Sequence, residues 1–328
     1  MRDEKPLTPH GFGVLVVVAL QDLVEDAALR AELRHAWHAF GGLLAIRGLE
    51  GITARQLVDV CASLGGPVET DLDASKSRFQ VEPGVMRIGN LRDAEGNLIS
   101  MCVDSMSLDG SPRWQPERRA PAWHTDSVYR QNPPVGSALF CRQAPPEGAE
   151  TCFCDTAAGY AALRADARRR LDGLECLASL AHHDAKVRST NPEYPVPTPD
   201  QRRANPPKRI PCVLRHPRTG RPAVYGVNSG TFAVVPKGTP IDATRLDAFE
   251  LDGFEDPSVD AELRSLLPHL TADRFALVWR WQPGDLVLWD NRCTMHAATG
   301  FDMARYTREM WRLTIVADHP DDDLPPQL

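Results

Sequence analysis

The amino-acid sequence predicts a mainly β protein with flanking helices, an α+β chain whose many short strands suit a sandwich or jelly roll. Three observations carry this expectation. From Val85 onward, short apolar runs alternate with turn clusters such as Pro-Pro, Glu-Gly and Thr-Gly. Ahead of them, two segments repeat their apolar residues with the helical period. The 328 residues, 42% hydrophobic and 25% charged, have ordinary globular composition, enough for one large domain or two modest ones.

The elements follow in order. Gly11 to Leu20 has the character of a strand. Asp26 to Phe40 places Leu29, Leu33, Ala36, Trp37 and Phe40 on one helical stripe, closed by Gly41-Gly42. Leu43 to Ile46 is a short buried strand, and Thr53-x-x-Gln56 is a capping box for a second helix stopped by Gly65-Gly66. Residues 11–70 thus form an α/β lead-in. Strands are then expected at Val85 to Ile88, Ala138 to Cys141, Thr151 to Cys154, Pro211 to Leu214, Ala223 to Val227 and Phe232 to Val235. Asp155 to Leu171 is helical, with Asp155 or Thr156 as cap. Residues 186–208, rich in proline and charge, show no period and are either a lid over a site or a disordered insertion. Asp256-Pro257 opens a helix that Pro268 ends. Phe275 to Trp281 and Leu286 to Trp289 are strands around the Gln282-Pro283-Gly284-Asp285 turn, and Arg308 to Val316 is the last strand. The acidic, proline-rich tail 318–328 is expected to fray.

Charge narrows the function classes. The net charge of -7 and pI near 5.8 come without any basic run of nucleic-acid type, so no nucleic-acid partner is expected. Val14 to Leu20 is too short to span a bilayer and no small-residue cleavage site follows it, so no membrane partner is expected and a cytoplasmic location is. The eight cysteines are scattered, and the strand spacing of Cys152 and Cys154 is not that of a zinc site.

The chemistry centres on Trp123-His124-Thr125-Asp126. On an extended backbone His124 and Asp126 project from one face, offering an imidazole and a carboxylate toward a 2-His-1-carboxylate iron site. His182-His183-Asp184 and His319-Pro320-Asp321 repeat the triplet, so the motif alone can be accidental. Context favours the first: it leads into Asn132-Pro133-Pro134-Val135-Gly136 and a rigid strand, whereas the second precedes the proline-rich stretch and the third lies in the tail. His296, just past a buried strand, is the expected third ligand, with a core histidine as the bland alternative. Arg308 and Arg312 share one face of an extended segment with Met310 between them. On the inner wall of a barrel such a guanidinium calls for an anion, and a dicarboxylate co-substrate would supply one. A solvated strand face fits the same spacing.

These segments resemble the TauD/TfdA family of Fe(II)- and 2-oxoglutarate-dependent dioxygenases over most of the chain, from about Gly41 to Val316. The resemblance runs through Trp-His-Thr-Asp ending at Asp126, Pro133-Pro134-Val135-Gly136, Gly148-Ala149-Glu150-Thr151, the string from Trp281 to Arg292, His296, Arg308 and Arg312. It implies a single catalytic domain over 1–328, a distorted double-stranded β-helix with flanking helices. It implies His124, Asp126 and His296 as metal ligands. Thr151 would hydrogen-bond 2-oxoglutarate and Arg308 would hold its distal carboxylate. Arg312 would lie near the 1-carboxylate or an anionic group of the substrate. Fe(II) is the implied cofactor, with 2-oxoglutarate and O2 as co-substrates, and a homo-oligomer is compatible.

With Asp126 filling the carboxylate position, the resemblance disfavours halogenation and leaves hydroxylation, C–heteroatom cleavage and desaturation. Asn90 and Arg92, with Tyr129 and Asn228 behind them, are candidates to meet a small, anionic substrate, while Asn90 and Arg92 equally suit turn stabilisation. Two other readings stay open: a cupin-like iron dioxygenase working without 2-oxoglutarate, and a non-catalytic jelly-roll binding module.

Overall fold

The lead-in helices form where their caps and apolar stripes place them. Asp26 accepts from the Leu29 N–H at the head of the helix Ala27–Ala39, which buries Leu29, Leu33, Ala36 and Trp37. Thr53 and Gln56 make the reciprocal capping box of Ala54–Gly65, and Gly66 closes it at a positive φ of 121°. This computed structural model describes residues 5–70, 74–101, 114–115, 120–121, 123–130, 132–190, 196, 198–227, 231–240 and 257–317.

Eight strands build the largest sheet, in the order Lys5–Pro6, Val14–Val17, Leu43–Arg47, Leu286–Asp290, Gly136–Gln143, Glu309–Ile315, Val85–Gly89, Gln80–Glu82. Val14–Val17 and Leu43–Arg47 pair parallel, because a helical crossover joins them; the other pairings are antiparallel. A three-stranded antiparallel sheet of Ala276–Trp279, Thr151–Asp155 and Thr294–Ala298 packs against one face of it. A further three-stranded sheet joins Lys208–Pro211, Leu174–Ala178 and Thr231–Pro236.

Strand alternation explains the layers. Leu44, Ile46, Phe140, Leu288 and Leu313 point to the lead-in helices and meet Leu33, Trp37 and Leu57. Their neighbours Leu43, Ala45, Leu139, Val287 and Met310 point the other way, onto Phe153 and Trp279 of the small sheet. The functional side chains sit on this inner layer.

Several expectations change, each for a local reason. Asp155 to Leu171 forms two helices, Thr156–Ala161 and Ala165–Asp172, the first capped by Asp155 through the Ala157 and Ala158 N–H groups. The helix Pro257–Leu270 runs past Pro268 to a buried Leu270; in the last turn the proline forgoes one helical hydrogen bond. Its expected cap, Asp256, lies outside the described residues. Leu174–Ala178 is a strand, and Leu180–Thr190 is a helix carrying His182-His183-Asp184, where positions two apart diverge. That triplet is therefore no ligand pair.

Where 186–208 is described it is ordered: the end of Leu180–Thr190, the helix Pro199–Ala204 with a Thr198–Gln201 capping box, and the start of the strand Lys208–Pro211. Residues 191–195 and 197, and the tail 318–328 with its His319 triplet, lie outside the described residues. No helix among the described residues is long and apolar enough to cross a membrane.

Candidate functional site

His124 and His296 meet through a two-residue antiparallel bridge. The His124 N–H donates to the His296 carbonyl at 3.0 Å, and the His296 N–H returns the bond at 2.9 Å. A hydrogen-bonded pair of this kind sends both side chains to the same face, and the imidazole centroids lie 4.2 Å apart. The Thr125 hydroxyl, between the two predicted ligands, donates to the Thr294 carbonyl at 3.0 Å and fastens the segment a second time. His296 stands on the strand Thr294–Ala298, with the Trp289 ring 4.8 Å from it and Phe153 6.1 Å away.

Asp126 completes the cluster. Its Oδ1 is 3.8 Å from His124 Nε2 and 3.9 Å from His296 Nε2, and one ligand atom from each residue lies within 4.8 Å of the others. The Ser137 hydroxyl donates to Asp126 Oδ2 at 2.7 Å, and Asn291 Nδ2 donates to that hydroxyl at 3.2 Å. Arg312 Nη2 approaches Asp126 Oδ1 to 3.0 Å. Burial pushes the Asp126 carboxyl up, but Arg312, the two imidazoles and Ser137 outweigh it and hold the group well below the usual carboxylate range. The chain then leaves through Ser127 at φ 52°, a left-handed conformation that the surrounding turn must enforce. The set is two imidazoles and one ionised carboxylate on one side of a point, the donor chemistry of a non-haem iron site.

Arg308 is fully buried and precedes the strand Glu309–Ile315, whose register places Met310 and Arg312 opposite Ile88 and Met86 of the inner layer. On the same wall, burial pushes the Cys141 thiol up to about 12 against the pull of Arg308. Thr151 starts the strand Thr151–Asp155, and its hydroxyl accepts from the Trp281 indole N–H at 3.0 Å.

The residues expected near the substrate are dispersed. Arg92 is exposed and donates to the Gly96 carbonyl at 2.7 Å, holding a hairpin turn. Asn90 has its amide committed to Met303, Tyr306 and Arg308. Tyr129 stacks on His183 at 4.6 Å, and Asn228 lies outside the described residues. Ser137 carries no local signal that sequence reasoning could have caught. Asn291 does, because it lies within the string from Trp281 to Arg292.

A second group, His38, His216 and Asp290, also brings ligand atoms within 4.8 Å. Its hydrogen bonds argue against a metal. Arg292 grips Asp290 with a fork, Nε to Oδ1 at 2.8 Å and Nη2 to Oδ2 at 2.6 Å. The Arg218 and Thr219 N–H groups both donate to His216 Nδ1 at 3.2 Å, so its Nε2 carries the proton donated to Asp290 Oδ2 at 2.9 Å. Neither His216 nitrogen is left for a cation, and the carboxylate is already neutralised. This is a buried ion-pair network that ties Leu286–Asp290 to His216, just past the strand Val213–Arg215, with His38 Nδ1 of the lead-in helix 3.8 Å from Asp290.

That network has a pH signature. Burial, opposed by Asp290, lowers His38 from 6.5 to about 4. Unfolding restores the ordinary value, so below about pH 6.5 the unfolded chain binds a proton that the folded chain refuses. Stability should fall as pH drops from about 6.5 to about 4, by at most about 1.4 kcal/mol per pH unit for one proton. Denaturant midpoints across that window should decline less for His38→Phe than for the native chain.

Comparison with known proteins places these residues in context. The family model described as "Taurine catabolism dioxygenase TauD, TfdA family" matches residues 3–314. The chain is 30% identical over 328 residues to a (S)-phenoxypropionate/alpha-ketoglutarate-dioxygenase from Sphingobium herbicidovorans, covering 96% of this chain and 95% of that protein. It is 29% identical over 308 residues to an alpha-ketoglutarate-dependent 2,4-dichlorophenoxyacetate dioxygenase from Cupriavidus pinatubonensis, covering 90% and 94%. The crystal structure of AAD-2 in complex with Mn(II) and N-oxalylglycine shares its fold at a TM-score of 0.68 and 22% identity, over 98% of this chain and 99% of that one.

Proposed function

From the premise that this chain belongs to the TauD/TfdA family of Fe(II)- and 2-oxoglutarate-dependent dioxygenases, and is an oxidoreductase, we propose that it hydroxylates an unactivated C–H bond of a small organic anion. One atom of O2 enters the substrate as the new hydroxyl and the other enters succinate, while the 1-carboxylate of 2-oxoglutarate leaves as CO2. The observation that carries this reading is the convergence of His124, Asp126 and His296 on the inner layer, with Arg312 against Asp126 and Arg308 buried on the same wall.

The donor set fits iron: His124 and His296 would offer imidazole nitrogens and Asp126 a carboxylate oxygen, all from one side of a point. Bound there, Fe(II) supplies the activation of O2 and the oxidative decarboxylation of 2-oxoglutarate. The chain's own residues do the rest. Ser137 and Asn291 fix the Asp126 carboxylate, and the backbone bridge fixes the two imidazoles. Arg308 holds the distal carboxylate of 2-oxoglutarate with Thr151 beside it, and the apolar wall keeps water from that ion pair. Arg312 lies where a substrate anion or the 1-carboxylate would meet it. The facing sheets, antiparallel except where Val14–Val17 meets Leu43–Arg47, support the family's distorted double-stranded β-helix, in one catalytic domain.

The relatives' substrates make aryloxyalkanoates the first compounds to screen. Succinate release that depends on such an acid, with Fe(II) and 2-oxoglutarate present, would support the reading. Release that no small organic anion stimulates would overturn the substrate class. Arg308→Ala should raise the Kd for 2-oxoglutarate by about a hundredfold or more, since it strips a buried carboxylate of its partner. If Arg312→Ala does this while Arg308→Ala leaves binding unchanged, the two arginines exchange roles.

A further inference from the structure

The geometry points to Asn90 as a positioning residue that sets Arg308 for the distal carboxylate of 2-oxoglutarate, an inference that rests on the role proposed for Arg308 above. The strands Val85–Gly89 and Glu309–Ile315 pair in register up to Gly89 opposite Glu309. One step further, Asn90 should face Arg308 across an ordinary ladder. Instead the Arg308 N–H donates to the Asn90 side-chain oxygen at 2.8 Å, while the Asn90 N–H reaches the Arg308 carbonyl at 3.4 Å. The side chain has taken over the main chain's place as acceptor. It ends the ladder and turns the chain away from the sheet at the residue before the predicted anchor.

The other end of the amide fixes the loop that leads there. Asn90 Nδ2 donates to the Met303 carbonyl at 3.2 Å and to the Tyr306 carbonyl at 2.9 Å. Both amide hydrogens are used, and so is one lone pair of the oxygen. This fixes which way the amide faces: two carbonyls require the nitrogen and an N–H requires the oxygen. The loop spans the distance between the strand that bears His296 and the strand that follows Arg308. Gly89 makes the close approach possible. A Cβ on it would stand 1.9 Å from the Arg308 carbonyl oxygen, so a side chain there would drive the two segments apart. Asn90 holds the Arg308 backbone by both its N–H and its carbonyl, Gly89 leaving room for the approach, while the guanidinium is buried.

An asparagine in this role acts on one part of the co-substrate. Binding of the 1-carboxylate and 2-oxo group at the iron would not involve Arg308, whereas capture of the distal carboxylate would. The test compares 2-oxoglutarate with 2-oxopentanoate, which keeps the chelating end and lacks the distal carboxylate. Each is titrated anaerobically into Fe(II)-loaded native, Asn90→Ala and Asn90→Ser protein, following the visible chelate band. Asn90→Ala should weaken 2-oxoglutarate about tenfold, the effect of roughly one lost hydrogen bond at a half-buried position, and leave 2-oxopentanoate unchanged. Asn90→Ser, with a smaller loss of loop contacts, carries the same comparison if the alanine variant does not fold.

Equal weakening of both acids would overturn the proposal, because it would show a general structural loss. Unchanged binding of both would overturn it too. Arg308→Ala in the same assay separates the two claims. If it leaves 2-oxoglutarate binding intact, the anchor assignment itself fails, whatever the Asn90 variants do.

Discussion

Asp126→Ala should abolish the anaerobic visible band of the Fe(II)–2-oxoglutarate complex and, with it, 2-oxoglutarate turnover. On the proposed reading the carboxylate would be the one anionic ligand of the cluster, and two imidazoles could not replace its charge. Its loss also leaves the Arg312 guanidinium, now 3.0 Å from Asp126 Oδ1, beside the place where a divalent cation must sit. Repulsion from that guanidinium adds to the loss of a ligand. Removing a mere outer partner of a metal ligand already costs about 10–100-fold in affinity, and loss of the ligand itself should exceed that. The check is iron stoichiometry and the chelate band in the variant, alongside a thermal melt to show that the chain remains folded. A full band in Asp126→Ala, with loss of iron on substituting His38 or His216, would move the metal to the other cluster.

Arg292→Ala is the largest stability effect expected. Asp290 is wholly buried, and the Arg292 fork supplies its countercharge. Burial pushes the Asp290 carboxyl up, and Arg292 and His216 outweigh it to hold the group ionised. Without Arg292 the carboxylate keeps only the His216 donor and the backbone, and a buried ion stripped of its partner costs about 3–5 kcal/mol. Denaturant unfolding should show that loss, with the iron content of the surviving folded protein unchanged. Stability within about 1 kcal/mol of the native chain would mean that the network is not the clamp described above.

Much of the fold was legible because its signals are local. The Asp26 cap, the Thr53–Gln56 box and the apolar run from Leu286 to Trp289 each lie within a few residues, and each formed as expected. The convergence of His124, Asp126 and His296 was expected from the context of the motif and the family resemblance, not from the two-residue spacing, which occurs three times in the chain. The Thr198–Gln201 box was equally local, yet the surrounding prolines and charges hid the helix that it caps. Ser137 beneath Asp126, the Asn90 clamp and the pairing of His216 with Asp290 were not legible. Those partners are brought together by strand pairings far apart in the chain, and such a contact leaves no period behind it. The same holds for the arginines. Spacing put Arg308 and Arg312 on one face, but only the pairing with Val85–Gly89 tells which face looks inward.

The bridge between His124 and His296 bears on more than the geometry of two rings. Thr125 and Thr294 beside it are 169 positions apart in the chain, so the bridge is the seam of a very long loop. A few backbone and hydroxyl hydrogen bonds hold that seam closed. An ion gripped from both sides would be a cross-link closing a long loop, and cross-links of long loops restrict the unfolded chain most. The metal would then act as a fastener as well as a reagent, and metal loss would open the seam before it disturbs either sheet.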